Sequence, residues 1–249
     1  MNYNRVSILG THVDNLTMEE TIEEIETAIK NKKQIHHVVV NAGKIVAMQT
    51  NSELKESVNS ADIINADGQA VVWASRLVKK PIKERVAGID LFINLIQTAH
   101  EKKHKIFLLG AKQEVVEKVN NRIANEYSKD VVSGFANGYF KEDEEDNIIT
   151  KIIDSKPQML FVAMTSPKKE LFLFRNREAL SNVNFIMGVG GSFDVYSGNL
   201  QRAPLFLQKI GMEWFFRLIQ DPRRMWKRYL VGNSKFVALV FREKFMRSI

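Results

Sequence analysis

The chain has 249 residues, 45% of them hydrophobic and 26% charged, which suits a soluble globular protein with a sizeable core. It contains no cysteine, so disulfides, thiolate zinc sites and cysteine nucleophiles are excluded, and a reducing compartment fits. The net charge of +7 is concentrated at one end: residues 201–249 hold 11 Lys/Arg against 3 Asp/Glu, together with nine aromatics.

The first residues, MNYNRVSILG, have neither a long apolar core nor a small-residue cleavage site, which argues against a signal peptide. No apolar run reaches the ~20 residues that a spanning helix needs. A strand is expected at 5–9. Thr17-Met18-Glu19-Glu20 then reads as a capping box, ahead of a helix with Ile22, Ile25 and Ile29 on one face. Strands follow at 35–40, 62–65, 105–109, 131–135, 159–164 and 184–189, nearly continuous apolar runs of the kind covered on both faces. Helical patterns at 43–50, 68–79, 90–104, 113–127, 142–155 and 167–180 alternate with them. The order predicts an α/β body with a mainly parallel, Rossmann-like sheet flanked by helices over residues 1–202.

Beyond Ala203 only helices are expected, at 204–218, 222–230 and 234–247, with breaks at Asp221-Pro222 and Gly232-Asn233. Residues 203–249 thus form a helical, basic C-terminal appendage. Basic residues interleaved with Trp and Phe suit a membrane interface. A solvated Arg-rich face packed on the body explains the same pattern equally well.

In open parallel sheets ligands bind beyond the carboxyl ends of the strands. Asn41 follows one strand and can bond a ligand or cap the next helix. Asp67, in Asn65-Ala66-Asp67-Gly68, is a helix cap or a carboxylate able to act as a base. Gly188-Val189-Gly190-Gly191-Ser192-Phe193-Asp194 can let a phosphate approach the backbone or simply form a tight turn; Phe193 stands where a dinucleotide fingerprint has its third glycine. Gly110 after another strand offers a helix N-terminus to an anion, or a plain strand–helix turn. The five histidines form no metal pair with nearby acids, and no P-loop, nucleophile elbow or D-x-D pair occurs, so no metal or other cofactor is indicated.

Read in order, Ala66-Asp67-Gly68, Arg85-Val86-Ala87-Gly88-Ile89-Asp90, Ser166-Pro167-Lys168-Lys169-Glu170, the Gly188–Asp194 run, Arg202-Ala203-Pro204, Gly211-Met212-Glu213-Trp214 and the stretch from Asp221-Pro222 to Tyr229 resemble the WecG/TagA/CpsF glycosyltransferases, glycosyltransferase family 26, over nearly the whole chain. The resemblance implies an inverting, metal-independent transfer from a UDP-sugar, often N-acetylmannosamine or its uronic acid. It implies a polyprenyl-diphosphate-linked acceptor, in the synthesis of teichoic acid linkage units, enterobacterial common antigen or capsular polysaccharide. The place of work is then cytoplasmic, peripheral on the inner face of the cell membrane, with the appendage helping to close the active site. Self-association through exposed apolar residues is left open.

Carried over by position, Asp67 matches the base, Asn41 a pocket amide and Arg85 a cation near the sugar or diphosphate. Gly190, Gly191 and Asp194 match the nucleotide-side loop. Arg217, Arg224 and Arg228 fall at intervals of seven and four and share a face if one helix runs through Pro222. Two positions depart from the pattern: Val39 stands for a threonine, and Lys169 for a glutamine beside the sugar pocket. A cation there suits a donor carrying a carboxylate, or a different hexose. Two other classes remain, a catalytically inactive scaffold and a nucleotide-binding protein with a nucleic-acid-binding tail. The retained Asp67 and Arg85 speak against the first, the interleaved aromatics against the second.

Overall fold

The computed structural model describes residues 4–246, the side chains of Arg224, Lys227 and Arg228 excepted. Six strands make one parallel sheet in the order β4-β3-β8-β7-β5-β6: β3 (Ile35–Val40), β4 (Ile63–Ala66), β5 (Ile106–Gly110), β6 (Val132–Ala136), β7 (Met159–Ala163) and β8 (Phe185–Gly188). All six coincide with expected strands; β5, β7 and β8 are wholly apolar and buried, whereas β3 carries His36 and His37, β4 carries Asn65, and the edge strand β6 carries Ser133 and is mostly half-buried.

The first expected strand does not join them. β1 (Arg5–Ile8) pairs antiparallel with β2 (Thr11–Asp14) in a separate hairpin, turning through Leu9 and Gly10, both at positive φ. β2 leaves little strand signal, because Thr11-His12-Val13-Asp14 is short and half polar. Its Asp14 is buried: it takes Arg5 Nε at 2.8 Å and the Ile64 N–H at 2.8 Å, tying the hairpin to β4.

On one face of the sheet lie α1 (Met18–Lys30), α5 (Gly88–Lys102) and α6 (Gln113–Glu126), with Ile25, Phe92, Leu95 and Val116 packed on Phe161 and Phe185. The expected capping box opens α1: Thr17 Oγ1 accepts from the Glu20 N–H at 3.1 Å, and Glu20 Oε2 accepts from the Thr17 N–H at 2.8 Å. The other face carries α2 (Ala42–Met48), α3 (Ser52–Asn59) and α4 (Gln69–Leu77) toward β4, and α7 (Glu145–Asp154) and α8 (Lys168–Arg175) toward β7. A short α9 (Ser192–Tyr196) follows β8. Neither α3 nor α9 is expected: α3 is a mostly polar run in which only Leu54 and Val58 mark the apolar face, and α9 has only five residues.

The appendage departs from expectation at two points. Its first helix divides into α10 (Leu205–Lys209) and α11 (Glu213–Gln220), because the chain turns at Gly211 with φ +74°. There is no break at Gly232-Asn233. α12 (Pro222–Trp226) continues through a π-helical turn into α13 (Gly232–Met246), whose Phe236 and Val240 are buried among Val6, Ala42 and Ile45. Packing of that apolar pair outweighs the modest helix penalty of one glycine.

Two adjacent histidines on β3 are fully buried. Burial, helped by the positive charge of Arg177, pushes His36 down to about 3. Burial also brings His37 down to about 4, against the hydrogen bond of its Nε2 with Asn65 Oδ1 at 2.8 Å. Both rings are therefore neutral in the fold, whereas unfolded histidines protonate near 6.5. Below that pH the unfolded chain binds protons that the folded chain refuses, so stability is full above it and falls with acidification. We expect the unfolding free energy to fall by about 4 kcal/mol between pH 7 and 5, roughly 2 kcal/mol for each ring. Denaturant titrations across that window that gave a flat line would contradict the buried neutral pair.

Candidate active site

The carboxyl ends of β4, β3 and β8 lie side by side, with Val40 in register with Ala66 and His37 with Met187. Asn41, Asp67 and the Gly190-Gly191 turn thereby share one edge, the outer two separated by two strand spacings, about 10 Å. Asn41 does cap its helix: Oδ1 accepts from the Lys44 N–H at 3.0 Å. It also flanks the base candidate, since a Cβ on Gly68 would stand 3.2 Å from Asn41 Cβ.

Asp67 does not cap the helix that follows it; the N-cap of α4 is Gly68, which has no side chain to cap with. Its Oδ1 instead accepts from the Gly88 N–H at 2.9 Å, at the start of α5. That bond and the positive end of the helix dipole fix the half-buried carboxylate at the sheet edge.

Around it stands a set of opposed charges. Arg202 forks onto Asp90 with contacts of 2.6 and 2.8 Å. Arg85 bonds Glu213 Oε2 at 3.2 Å and lies 4.0 Å from Asp90, and Arg217 reaches Glu213 Oε1 at 3.5 Å. Burial acts to lower the Arg202 pKa, but Asp90, Glu213 and Asp67 outweigh it and raise it, so the Asp67 carboxylate is within electrostatic reach of this set. The appendage meets the body here: a Cβ on Gly211 would lie 2.7 Å from Gln69 Cγ, immediately after Asp67-Gly68.

The glycine turn has the geometry of a close-approach loop. Gly190 has φ +55°, and a side chain on Gly191 would meet nothing within 4 Å. Asp194 is half-buried on α9. Lys169 supports the turn from beneath: its methylenes pass under Gly188, where a Cβ would stand 2.9 Å from Cδ. Its ammonium is buried, 2.6 Å from Glu170 Oε1, and Lys44 Nζ reaches the same oxygen at 2.7 Å and the Val39 carbonyl at 2.7 Å. Burial alone would raise Glu170, but the two ammonium groups prevail and hold it down at about 2. The two departures from the family pattern, Val39 and Lys169, are thus joined through Lys44.

Arg217 is on α11, which ends at Asp221 (φ −141°, ψ 70°), so no single helix carries it in phase with 224 and 228. The side chains of Arg224 and Arg228 lie outside the described residues. Gly110, at φ +125°, serves packing: a Cβ there would be 2.5 Å from the Ala163 carbonyl. Among the described residues no three His, Asp or Glu side chains are grouped to hold a metal ion. Lys44, Glu170, Asp90, Arg202 and Glu213 join the site without being site candidates by sequence. Lys169–Glu170, Arg85–Asp90 and Arg217–Glu213 are close in sequence but their other pairings are distant, and the motifs around 90, 170, 202 and 213 contain all of them except Lys44.

A profile of the Glycosyl transferase WecG/TagA/CpsF family matches residues 6–249. The N-acetylglucosaminyldiphosphoundecaprenol N-acetyl-beta-D-mannosaminyltransferase of Bacillus spizizenii is 37% identical over 198 residues, 80% of this chain and 75% of that one. The protein of the same name in Bacillus subtilis is 38% identical over 186 residues, 75% and 71% of the two chains. That of Staphylococcus aureus strain MW2 is 33% identical over 240 residues, 96% and 91% of the two. With its parallel sheet, its edge carboxylate and this match over nearly the whole length, the chain belongs to the WecG/TagA/CpsF family of glycosyltransferases.

Proposed function

We propose that this glycosyltransferase moves an N-acetylmannosamine-type sugar, or another hexose, from a UDP donor to a polyprenyl-diphosphate-linked acceptor, with inversion and without a metal ion. The step belongs to the synthesis of teichoic acid or a related surface polysaccharide. The observation that carries the reading is the placement of Asp67 beside a cluster in which Arg85, Arg202 and Arg217 outnumber two carboxylates. The names of the relatives support an acceptor of this class.

In the proposed reaction the acceptor hydroxyl oxygen attacks C1 of the donor sugar while Asp67 takes its proton. The bond from C1 to the diphosphate oxygen breaks, and UDP leaves with the electron pair. Guanidinium groups set in place before the reaction meet the charge that develops on the diphosphate. The Gly190-Gly191 turn offers backbone N–H groups to the nucleotide side. Asn41 lines the sugar pocket, and Lys169 acts from below through the turn. Asp194 is assigned to the nucleotide side of the same turn, and Arg224 and Arg228 to the diphosphates.

The appendage is assigned to the membrane face. Among the described residues no helix is long and apolar enough to cross a bilayer. Leu205, Phe206, Ile210, Phe215, Ile219 and Trp226 are exposed beside Lys209, Arg217 and Arg223. An apolar surface edged by cations suits the headgroup region of an anionic leaflet. Residues 1–202 then act as the catalytic body and 203–249 as its membrane-side cover.

Asp67→Asn keeps shape and removes the base. We expect kcat to fall by about 10²–10⁴ with the UDP dissociation constant within about twofold of wild type; undiminished turnover would remove Asp67 from the mechanism. Replacing Leu205, Phe206 and Ile219 together by glutamine should weaken sedimentation with anionic liposomes by roughly tenfold or more. Unchanged co-sedimentation would move the membrane contact elsewhere.

A further inference from the structure

Glu213 is the point where body and appendage exchange charge. Its side chain is largely buried and touches three guanidinium groups from three places in the chain: Arg85 at 3.2 Å, Arg217 at 3.5 Å and Arg202 at 3.9 Å. Arg85 belongs to the loop between α4 and α5, Arg202 to the segment that enters the appendage, and Arg217 to the next turn of the helix that Glu213 begins.

The other carboxylate of the set cannot replace it. Asp90 is engaged by both terminal nitrogens of Arg202 and stands 4.0 Å from Arg85. Among the described residues Glu213 is the ion-pair partner of Arg217. Three cations gathered within a few ångströms repel one another, and the half-exposed Arg217 is free to turn outward once its carboxylate is gone. The turn just before Glu213 has little slack, because Gly211 is pressed onto Gln69 at the start of α4. Charge and shape therefore fix the first turn of α11 beside Asp67.

We propose that Glu213 is a positioning residue, whose carboxylate gathers Arg85, Arg202 and Arg217 at the rim beside Asp67 and so sets them for the departing diphosphate. The proposal rests on the glycosyl-transfer reading of this cleft. Glu213 itself touches no substrate. It acts by holding guanidinium groups that repel one another in a shared geometry, each keeping N–H donors for a second anion.

The test compares Glu213→Gln, the same shape without the charge, with Glu213→Asp, the charge on a shorter stem, both in the full-length chain. Steady-state transfer from a UDP-sugar, calorimetric titration with UDP and amide hydrogen exchange are measured on each. For Glu213→Gln we expect kcat to fall about 10–10²-fold, UDP to bind several-fold more weakly, and exchange to quicken over 213–220 while 236–246 stays protected. Glu213→Asp should recover most of the activity, because charge and not packing does the work. A glutamine variant that outperforms the aspartate, that binds UDP more tightly than wild type, or that leaves both kcat and exchange unchanged overturns the proposal. If the wild-type protein transfers no sugar at all, the transfer reading fails by itself, and the exchange comparison still decides whether Glu213 holds α11.

Discussion

The hydrogen bond from the Gly88 amide to Asp67 joins residues 21 positions apart and ties the end of β4 to the beginning of α5. The rest of the candidate site depends on it. The loop it closes carries Arg85, and the helix it opens carries Asp90 in its first turn. Asp90 holds Arg202, and Arg85 and Arg202 meet Glu213 at the base of α11. One amide at a helix N-terminus thus orients a carboxylate and sets where the neighbouring charges emerge. Parallel strands make this possible, because they deliver Asn41, Asp67 and Gly190 to the same edge without further contrivance.

Two assemblies of charge serve this edge, and burial separates their roles. The Lys44–Glu170–Lys169 triad is sealed beneath the glycine turn, where desolvation penalises every member and only close pairing offsets it. Such a set does not rearrange for a ligand; it is a strut under Gly188 and Gly190, with one positive charge in excess. The arginine and carboxylate set at the rim is partly solvated. Water screens the pairs where Arg217 and Asp90 face it, while Glu213 and Arg85 are largely buried.

The appendage is likewise of two kinds. α13 belongs to the core: Phe236 and Val240 pack with residues of β1 and α2, and the Glu243 carboxylate accepts the Leu9 N–H at 2.8 Å. α13 also exposes Val237, Phe241, Phe245 and Met246, and α10 to α12 turn large apolar side chains outward next to the Asp67 edge. An apolar surface of this extent on a globular protein marks a site of contact. Anchoring at the far helix holds that surface at a set place relative to the Asp67 carboxylate.

The six core strands and the first capping box were legible in the amino-acid sequence, because strands in a covered parallel sheet are mainly apolar, even with His36 and His37 in β3 and Asn65 in β4, and Thr17 and Glu20 act within one turn. Asp67, Asn41 and the glycine turn were legible as strand ends, and the resemblance of ordered motifs indicated the family. These are local signals. Tertiary structure alone decided that Asn41 is a cap while Asp67 caps nothing of its own, that β1 leaves the sheet for a hairpin, and that Gly232 lies inside a helix because Phe236 has a pocket to fill. It alone paired Arg85 with Glu213, 128 positions apart, and Lys44 with Glu170. A charge in a sequence carries no mark of its partner; attraction acts through space, and the fold sets the distances.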